Sequence, residues 1–498
     1  MDSALFGLEL YSMTMPLEGE VLAARSALPS WSGKTISQRL QFIRRLREQL
    51  VCQREKLWQA ASDDVKRSPQ EVLASELLPI ASALKFLERH ARRILAPRKV
   101  SLWDRPLWLW GCRDVVHRRP WGVVGIIGTW NYPLFLNIVP IAQALTAGNT
   151  VLWKPSEQAP RCAQAIGQLF QQAGVDRDVL QILPATREAG PQLAEADIDY
   201  LLFTGSEAVG RRLASRLGER LIPSTLELSG CDPMWVLANA DISLAVRAAW
   251  FGMTFNRGQT CIAVRRILVQ RSIAEAFYAE LQSWLERAKP FSSLPLQTPA
   301  QEEQFRRLVA DAAERGADLL PAPDTEVSPG CRPTFLWNVP AEAAVMQEPC
   351  FAPLATIAVF DTIEQALALT RQCRSGLAAS IFTKDMALAQ HLAAQLPAGY
   401  VTVNDVLAPT AHPATPFGGR GASGWGVTQG TEGLLSLTVP QVVSIRHGRF
   451  RPHYDETISP ASSSTHQILE GLLRGGYSRS WRERWRGLRQ LFRGLFRR

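Results

Sequence analysis

Tyr200-Leu201-Leu202-Phe203-Thr204-Gly205-Ser206-Glu207-Ala208-Val209-Gly210 begins as an apolar run, breaks at a glycine and continues as a helical pattern to about Leu217. A short unbroken apolar run bounded by a turn marks a strand buried on both faces, so the stretch reads as one strand–helix unit. The unit recurs upstream. Val123 to Ile127 leads to a helix from Leu134 to Ala147, Thr150 to Trp153 leads to a helix from about Pro160 to Gln172, and Val179 to Leu183 is a further strand. From Pro233 the alternation restarts, with strands at Met234 to Leu237, Ile267 to Val269, Ala355 to Phe360, Ala378 to Phe382 and Tyr400 to Val403. Helices lie between them, at Ile242 to Met253, about Ile273 to Arg287 and Ile363 to Arg371. Such alternation predicts an α/β fold of parallel sheets covered by helices, and its first half looks like a nucleotide-binding domain.

Outside the alternation, apolar residues at Ile36, Leu40, Ile43, Leu46, Leu50 and Leu57 predict an amphipathic helix, and Pro69 to Ile94 predicts another. Residues 97 to 121, with Leu107-Trp108-Leu109-Trp110, read as extended strands suited to pairing with another subunit or domain. A closing strand is expected at Gln441 to Ile445.

The chain of 498 residues is long enough for two or three domains, and 46% hydrophobic content fits a globular protein. Its eight cysteines show no spacing suited to zinc or to a disulfide framework, so no metal site is expected and a reducing, cytoplasmic setting is. Met1 to Pro16 lacks the pattern of a signal peptide, and no run approaches 18 apolar residues. The formal charge of +9 is concentrated at one end. Residues 474–498 carry nine Arg and one Glu, a net +8, which leaves +1 for the rest.

Three residue types on separate segments suggest one site. Phe255-Asn256-Arg257-Gly258-Gln259-Thr260-Cys261 presents a thiol on a polar turn. Glu227 stands as an isolated carboxylate in Leu226-Glu227-Leu228-Ser229-Gly230, and Asn131 follows Trp130 in Trp130-Asn131-Tyr132-Pro133. A thiol presented on such a turn is a candidate nucleophile, and the Cys, Glu and Asn together suit one site. Gly205-Ser206 at the head of a helix suits a pyrophosphate, although a plain strand-to-helix connection reads equally well. Lys154 and Glu157 leave the next strand at the ligand edge of such a sheet. There Glu157 disfavours a 2′-phosphate, or else it is a carboxylate at a solvated helix start. Gly419-Arg420-Gly421-Ala422-Ser423-Gly424 fits the dinucleotide pattern literally but lacks its strand and acidic partner, so it reads as a loop near the site.

Taken in order, Pro120-Trp121-Gly122-Val123-Val124, Trp130-Asn131-Tyr132-Pro133, Lys154-Pro155-Ser156-Glu157, Phe203-Thr204-Gly205-Ser206, Leu226-Glu227-Leu228, Gly258-Gln259-Thr260-Cys261 and Pro416-Phe417-Gly418-Gly419 resemble the aldehyde dehydrogenase superfamily over roughly 20 to 450. The short N-terminus is similar to the branch that includes the fatty-aldehyde dehydrogenases. The resemblance implies a Rossmann-type cofactor domain (1–100 and 122–230), an α/β catalytic domain (231–435) and bridging or oligomerising strands (101–121 and 436–450). It further implies a homodimer or tetramer. Cys261, Glu227 and Asn131 are the implied catalytic residues. Trp130, Lys154, Glu157, Gly205, Ser206, Gly210 and Phe351 are the implied cofactor-binding ones, with NAD favoured over NADP. The implied reaction takes an aldehyde to the acid through a cysteine thiohemiacetal and thioester, and the carboxylate at Glu227 favours hydrolysis over transfer to coenzyme A. Two positions depart from the pattern. Pro349, in Glu348-Pro349-Cys350-Phe351-Ala352-Pro353, stands where relatives carry the carboxylate that binds the nicotinamide ribose, and Cys231 stands where they often carry Lys. These departures motivate a second reading, a catalytically impaired member that acts as a binding or scaffold protein at a membrane.

Residues 451–465 read as a linker and 466–498 as a basic amphipathic tail. On a helical wheel Trp481, Trp485, Leu488, Leu491, Phe492, Leu495 and Phe496 share one side beside a stripe of Arg482, Arg486, Arg489, Arg493 and Arg497, with Arg484 intruding. That pattern predicts a helix lying in a membrane interface and a peripheral location, with a hydrophobic or lipid-derived aldehyde as substrate. Packing on its own subunit or on a partner is the alternative, and the continuous apolar face disfavours a nucleic-acid tail.

Overall fold

The computed structural model of the chain describes residues 17–106, 109, 111–288, 293, 295–321, 330–449 and 463–496. They fall into two compact units. One comprises residues up to Ile94 with Pro120–Thr438, the other Leu95–Arg119 with residues from Val439 on.

The first unit is built on two largely parallel sheets. One has the order Gly424–Trp425, Ser224–Leu228, Tyr200–Gly205, Val123–Ile127, Thr150–Lys154, Leu180–Ile182. All its pairings are parallel except that of Gly424–Trp425. Every residue of Val123–Ile127 and Thr150–Lys154 is buried, as expected of strands covered on both faces. The second sheet has seven strands, with Val264–Gln270 and Asp232–Val236 inside it. Its side chains divide by the two-residue period of a strand. Trp235 and Leu268 join one core, while Met234, Val236, Ile267 and Val269 join the core on the opposite face.

Three features differ from what periodicity suggests. The expected helix from Ile36 is two helices, Ile36–Cys52 and Arg54–Val65, because Gln53 leaves the helical region at φ −101°, ψ 13°. The next helix opens with a capping box between Ser68 and Glu71, passes through a π turn at Leu73–Leu77 and continues as Leu78–Ile94. The glycine-rich loop contributes a strand, Gly424–Trp425, whose Gly424 lies opposite Glu227. Gly424 sits at φ +92°, and a Cβ there would fall 1.9 Å from the Leu226 carbonyl oxygen, so only glycine lets the strand approach.

In the second unit Arg98–Lys99, Cys112–Pro120 and Thr438–Arg446 form a three-stranded sheet. The strand expected at Leu107 to Trp110 lies, apart from Leu109, outside the described residues, as does the expected linker up to residue 462. The tail is a pair of helices, Ser463–Tyr477 and Trp481–Phe496, folded back on each other. A Cβ on Gly471 would lie 2.5 Å from the Leu491 nitrogen, and one on Gly487 would lie 2.4 Å from the Gly475 nitrogen, so glycines set this approach. The hairpin divides the apolar face expected of a lone helix. Leu488 turns toward Gly475, whereas Trp481, Trp485 and Phe492 stay exposed. The Phe496 side chain, Arg497 and Arg498 lie outside the described residues. No helix among the described residues is long and apolar enough to cross a membrane.

Candidate active site

The helix Ile242–Thr254 is capped at its start by the Asp241 side chain and runs into the turn Phe255–Gly258. In that turn Asn256, Arg257 and Gly258 all take left-handed φ values, 53°, 57° and 70°. Such a conformation costs an ordinary L-residue about 1 kcal/mol, so neighbours must hold it. Asn256 Nδ2 donates to the Asn131 and Gln259 carbonyls at 3.0 and 3.2 Å. The buried Arg265 guanidinium donates to the carbonyls of Gly258, Ala352 and Leu354, which ties the turn to the segment after Pro349. Gly258 is required on two counts, since a Cβ there would also lie 2.2 Å from the Ala352 oxygen. Cys261 follows, partly open, its carbonyl accepting from Gly230 N–H at 3.1 Å.

Asn131 is buried and held at every polar atom of its amide. Thr129 Oγ1 donates to Oδ1 at 2.9 Å, and Nδ2 donates to the Gln259 carbonyl at 3.1 Å. An amide nitrogen has two hydrogens, so a second N–H is available for an oxyanion.

Glu227 lies in the strand Ser224–Leu228, whose end is tied to the cysteine through Gly230. It is buried. Oε2 accepts from Thr428 Oγ1 at 3.3 Å, and Oε1 has no hydrogen-bond partner among the described residues. Burial pushes this carboxyl up to about 7 against a single weak hydrogen bond that favours the charged form. Burial likewise pushes the Cys261 thiol up, and the nearby Glu227 carboxylate adds in the same direction.

Cys261 and Glu227 line one cavity of about 320 Å³. Phe135, Leu136, Phe251, Phe255, Leu407 and Phe417 give it an apolar wall.

The residues expected to hold a dinucleotide are placed unevenly. Lys154 ends its strand, is buried and contacts Glu157 Oε2 at 3.1 Å, while Arg187 Nε contacts Glu157 Oε1 at 3.2 Å. Glu157 is pulled below the usual carboxylate range by its own backbone N–H and by Lys154, against the opposing effect of burial. The Tyr200–Gly205 strand, second neighbour of the Lys154 strand, delivers Ser206 as the cap of the helix Glu207–Glu219. A cation and a helix N-terminus at the carboxyl edge of parallel strands fit a pyrophosphate. Trp130 and Phe351 meet edge to face, with ring centroids 6.3 Å apart. Gly210, in the first turns of the helix Glu207–Glu219, packs closely on the sheet, since a Cβ there would lie 2.4 Å from Leu228 Cδ2. Pro349 offers no side-chain acceptor, and the Glu348 carboxylate is engaged by Arg307. Cys231 is buried, its thiol 3.9 Å from the Glu348 carbonyl.

Sequence reasoning missed Asn256, Arg265 and Thr428. Each acts through contacts to segments distant in the chain, and none has a local signature.

The sequence pattern of the aldehyde dehydrogenase family matches residues 16–443. The chain is 32% identical to a 4,4′-diapolycopene aldehyde oxidase of Methylomonas sp over 482 residues, covering 95% of this chain and 89% of that protein. It is 30% identical to a putative NADP(+) succinate-semialdehyde dehydrogenase of Mycolicibacterium smegmatis, covering 89% and 88%. Among solved structures, an aldehyde dehydrogenase of Mycobacterium tuberculosis complexed with NAD+ superposes with a TM-score of 0.78 at 28% identity, covering 86% of this chain and 89% of that one.

Proposed function

The chain belongs to the aldehyde dehydrogenase family, and on that premise we propose that it oxidises a hydrophobic aldehyde to the carboxylic acid, with NAD preferred over NADP. The observation that carries this reading is the meeting of Cys261 and Glu227 in one apolar cavity, with Asn131 hydrogen-bonded to the cysteine turn.

The Cys261 thiol, which burial holds protonated, first releases its proton to solvent at its partly open face; the thiolate then attacks the aldehyde carbon, and the C–S bond forms as the carbonyl π pair moves to oxygen. The free Asn131 N–H holds that oxyanion, a contact worth about 3 kcal/mol where the donor is preorganised. The nicotinamide nucleotide, when bound, supplies the hydride acceptor. Lys154, Glu157 and the Ser206 helix end, with Trp130 and Phe351, would hold it. The resulting Cys261 thioester is cleaved by water. Glu227 takes the proton from that water, the acid leaves, and the thiolate is restored. A base with a pKa near 7 is matched to that step. Glu157 disfavours a 2′-phosphate through like charge, which supports the NAD preference.

The exposed Val442 and Ile445 of the strand Thr438–Arg446 suit pairing with a second copy, and we read the protein as a homo-oligomer. The exposed Trp481, Trp485 and Phe492 among arginines suit an anionic lipid surface, which would bring the enzyme to aldehydes that partition into membranes. Removal of residues 463–498 is expected to abolish co-sedimentation with anionic vesicles while turnover of a soluble aldehyde persists; undiminished binding would sink that part.

NADH production from medium and long aldehydes, compared with Cys261→Ala, tests the central reading. Loss of activity in the variant is expected, and equal rates in the two proteins would overturn it. A rate unchanged by added coenzyme A supports hydrolysis.

A further inference from the structure

A buried ion pair outside the reacting groups touches both halves of the site. Glu76 is fully buried in the π turn Leu73–Leu77, a distortion frequent at functional sites. Its Oε2 accepts from the backbone N–H groups of Leu134 at 2.7 Å and Phe135 at 3.0 Å, at the start of the helix Phe135–Ala147. Its Oε1 accepts from Arg67 Nη1 at 2.9 Å. The Arg67 guanidinium, itself buried, donates also to Ser75 and lies 4.7 Å from the centre of the Tyr132 ring. The Tyr132 hydroxyl in turn lies 2.7 Å from Thr260 Oγ1. Tyr132 follows Asn131 and Thr260 precedes Cys261. One carboxylate and one guanidinium therefore connect the segment bearing the oxyanion donor to the segment bearing the thiol.

Stability alone is a poor account of this pair. Desolvating two charges cancels much of their attraction, and apolar replacements of equal volume are often neutral. What apolar residues cannot supply is direction. The carboxylate fixes two N–H groups just after Asn131-Tyr132-Pro133, and the cation fixes the Tyr132 ring that reaches Thr260.

We propose that Arg67 and Glu76 are positioning residues that set the Asn131 amide against the Cys261 thiol. This rests on the cysteine chemistry proposed above. Neither touches the reacting atoms; they act through Leu134 and Tyr132.

The test is a mutant cycle in the full-length protein. Glu76→Gln keeps shape and removes charge, and is expected to lower kcat about 10-fold with KM changed less than about twofold. Alkylation of Cys261 by iodoacetamide forms no oxyanion, so its rate should stay within about twofold of wild type. In an Asn131→Ala background the same substitution should cost less than about twofold, because the residue it acts through is gone. Wild-type turnover by Glu76→Gln, an equal loss in the Asn131→Ala background, or a parallel fall in alkylation would each overturn the proposal. If Glu76→Gln fails to fold, Tyr132→Phe, which removes only the hydroxyl facing Thr260, takes its place in the same cycle with an expected loss of about threefold; no loss there overturns the proposal equally. Failure of the underlying reading is distinguishable, since it shows as wild-type NADH production that does not depend on Cys261, and it would remove the basis of this proposal too.

Discussion

The two sides of the candidate site are held by different physics. On the acyl side, Asn131 and the Cys261 turn are fixed by buried contacts to backbone, with Asn131 reaching one carbonyl, Asn256 two and Arg265 three, and Gly230 donating to the cysteine itself, while Glu227 is held by burial and the Thr428 hydroxyl. On the proposed cofactor side the polar groups hold one another, Glu157 with the buried Lys154 and the exposed Arg187, and Glu348 with Arg307, so that two of the three pairs are open to solvent. Exposed ion pairs contribute little and tolerate rearrangement. The contrast fits what each side must do. Bond formation demands placement to a fraction of an ångström, whereas a nucleotide that enters and leaves can be met by groups that adjust. The departures from the family pattern, Pro349 and Cys231, both fall near the second side.

The acyl side should therefore be brittle and the cofactor side adjustable. The largest expected effect is that of Glu227→Gln, which removes the base. Steady-state oxidation should fall about 10²–10⁴-fold while a first-turnover burst of NADH survives, a split that rapid-mixing absorbance detects. In wild type the carboxylate is the active form, so the hydrolytic rate should rise as pH passes through about 7, and the variant should lose that inflection. Stability gives a second readout of the same group. A folded-state pKa above the unfolded value stabilises the fold at low pH, and that contribution is lost as pH rises through the folded value. Glu227→Gln should thus resist urea better than wild type above pH 7, by up to about 3 kcal/mol, and gain nothing below about pH 4.

Asn131→Ala comes next, with an expected loss of about 10²-fold in kcat measured at saturating aldehyde, and little change in Cys261 alkylation. The smallest effect should come from the adjustable side. Pro349→Glu restores a carboxylate facing the proposed ribose, and KM for NAD is expected to drop about 10-fold with kcat altered less than about threefold. An unchanged KM would mean that the segment does not face the ribose and that the contrast between the sides is drawn in the wrong place.

Much of this molecule is legible in one dimension. The strands Val123–Ile127, Thr150–Lys154 and Tyr200–Gly205 and their following helices are written as apolar runs closed by glycines and caps. The candidate residues Cys261, Glu227 and Asn131 stand out as polar groups beside those runs. The π turn at Leu73–Leu77 is not legible, because one extra residue per turn leaves apolar spacing almost unchanged. Nor is the folded-back tail. A helical wheel of 481–496 shows one apolar face, and nothing local says that Leu488 meets Gly475 while Trp485 stays exposed.

The sequence by itself determined the α/β architecture, because backbone hydrogen bonding and burial impose periods of 2 and 3.6 on any chain that forms strands and helices; the family was carried by the ordered motifs from Pro120-Trp121 to Pro416-Phe417. Only the tertiary structure decided how the site is held: that Thr428 and Gly424 from the glycine-rich loop lie against Glu227, that Arg265 clamps the left-handed turn before Cys261, and that Glu76 fastens the helix after Asn131. Apart from the Arg265–Gly258 bond, which spans seven residues, these contacts join segments tens to hundreds of residues apart. Their energies depend on burial and direction, which exist only once the chain has folded.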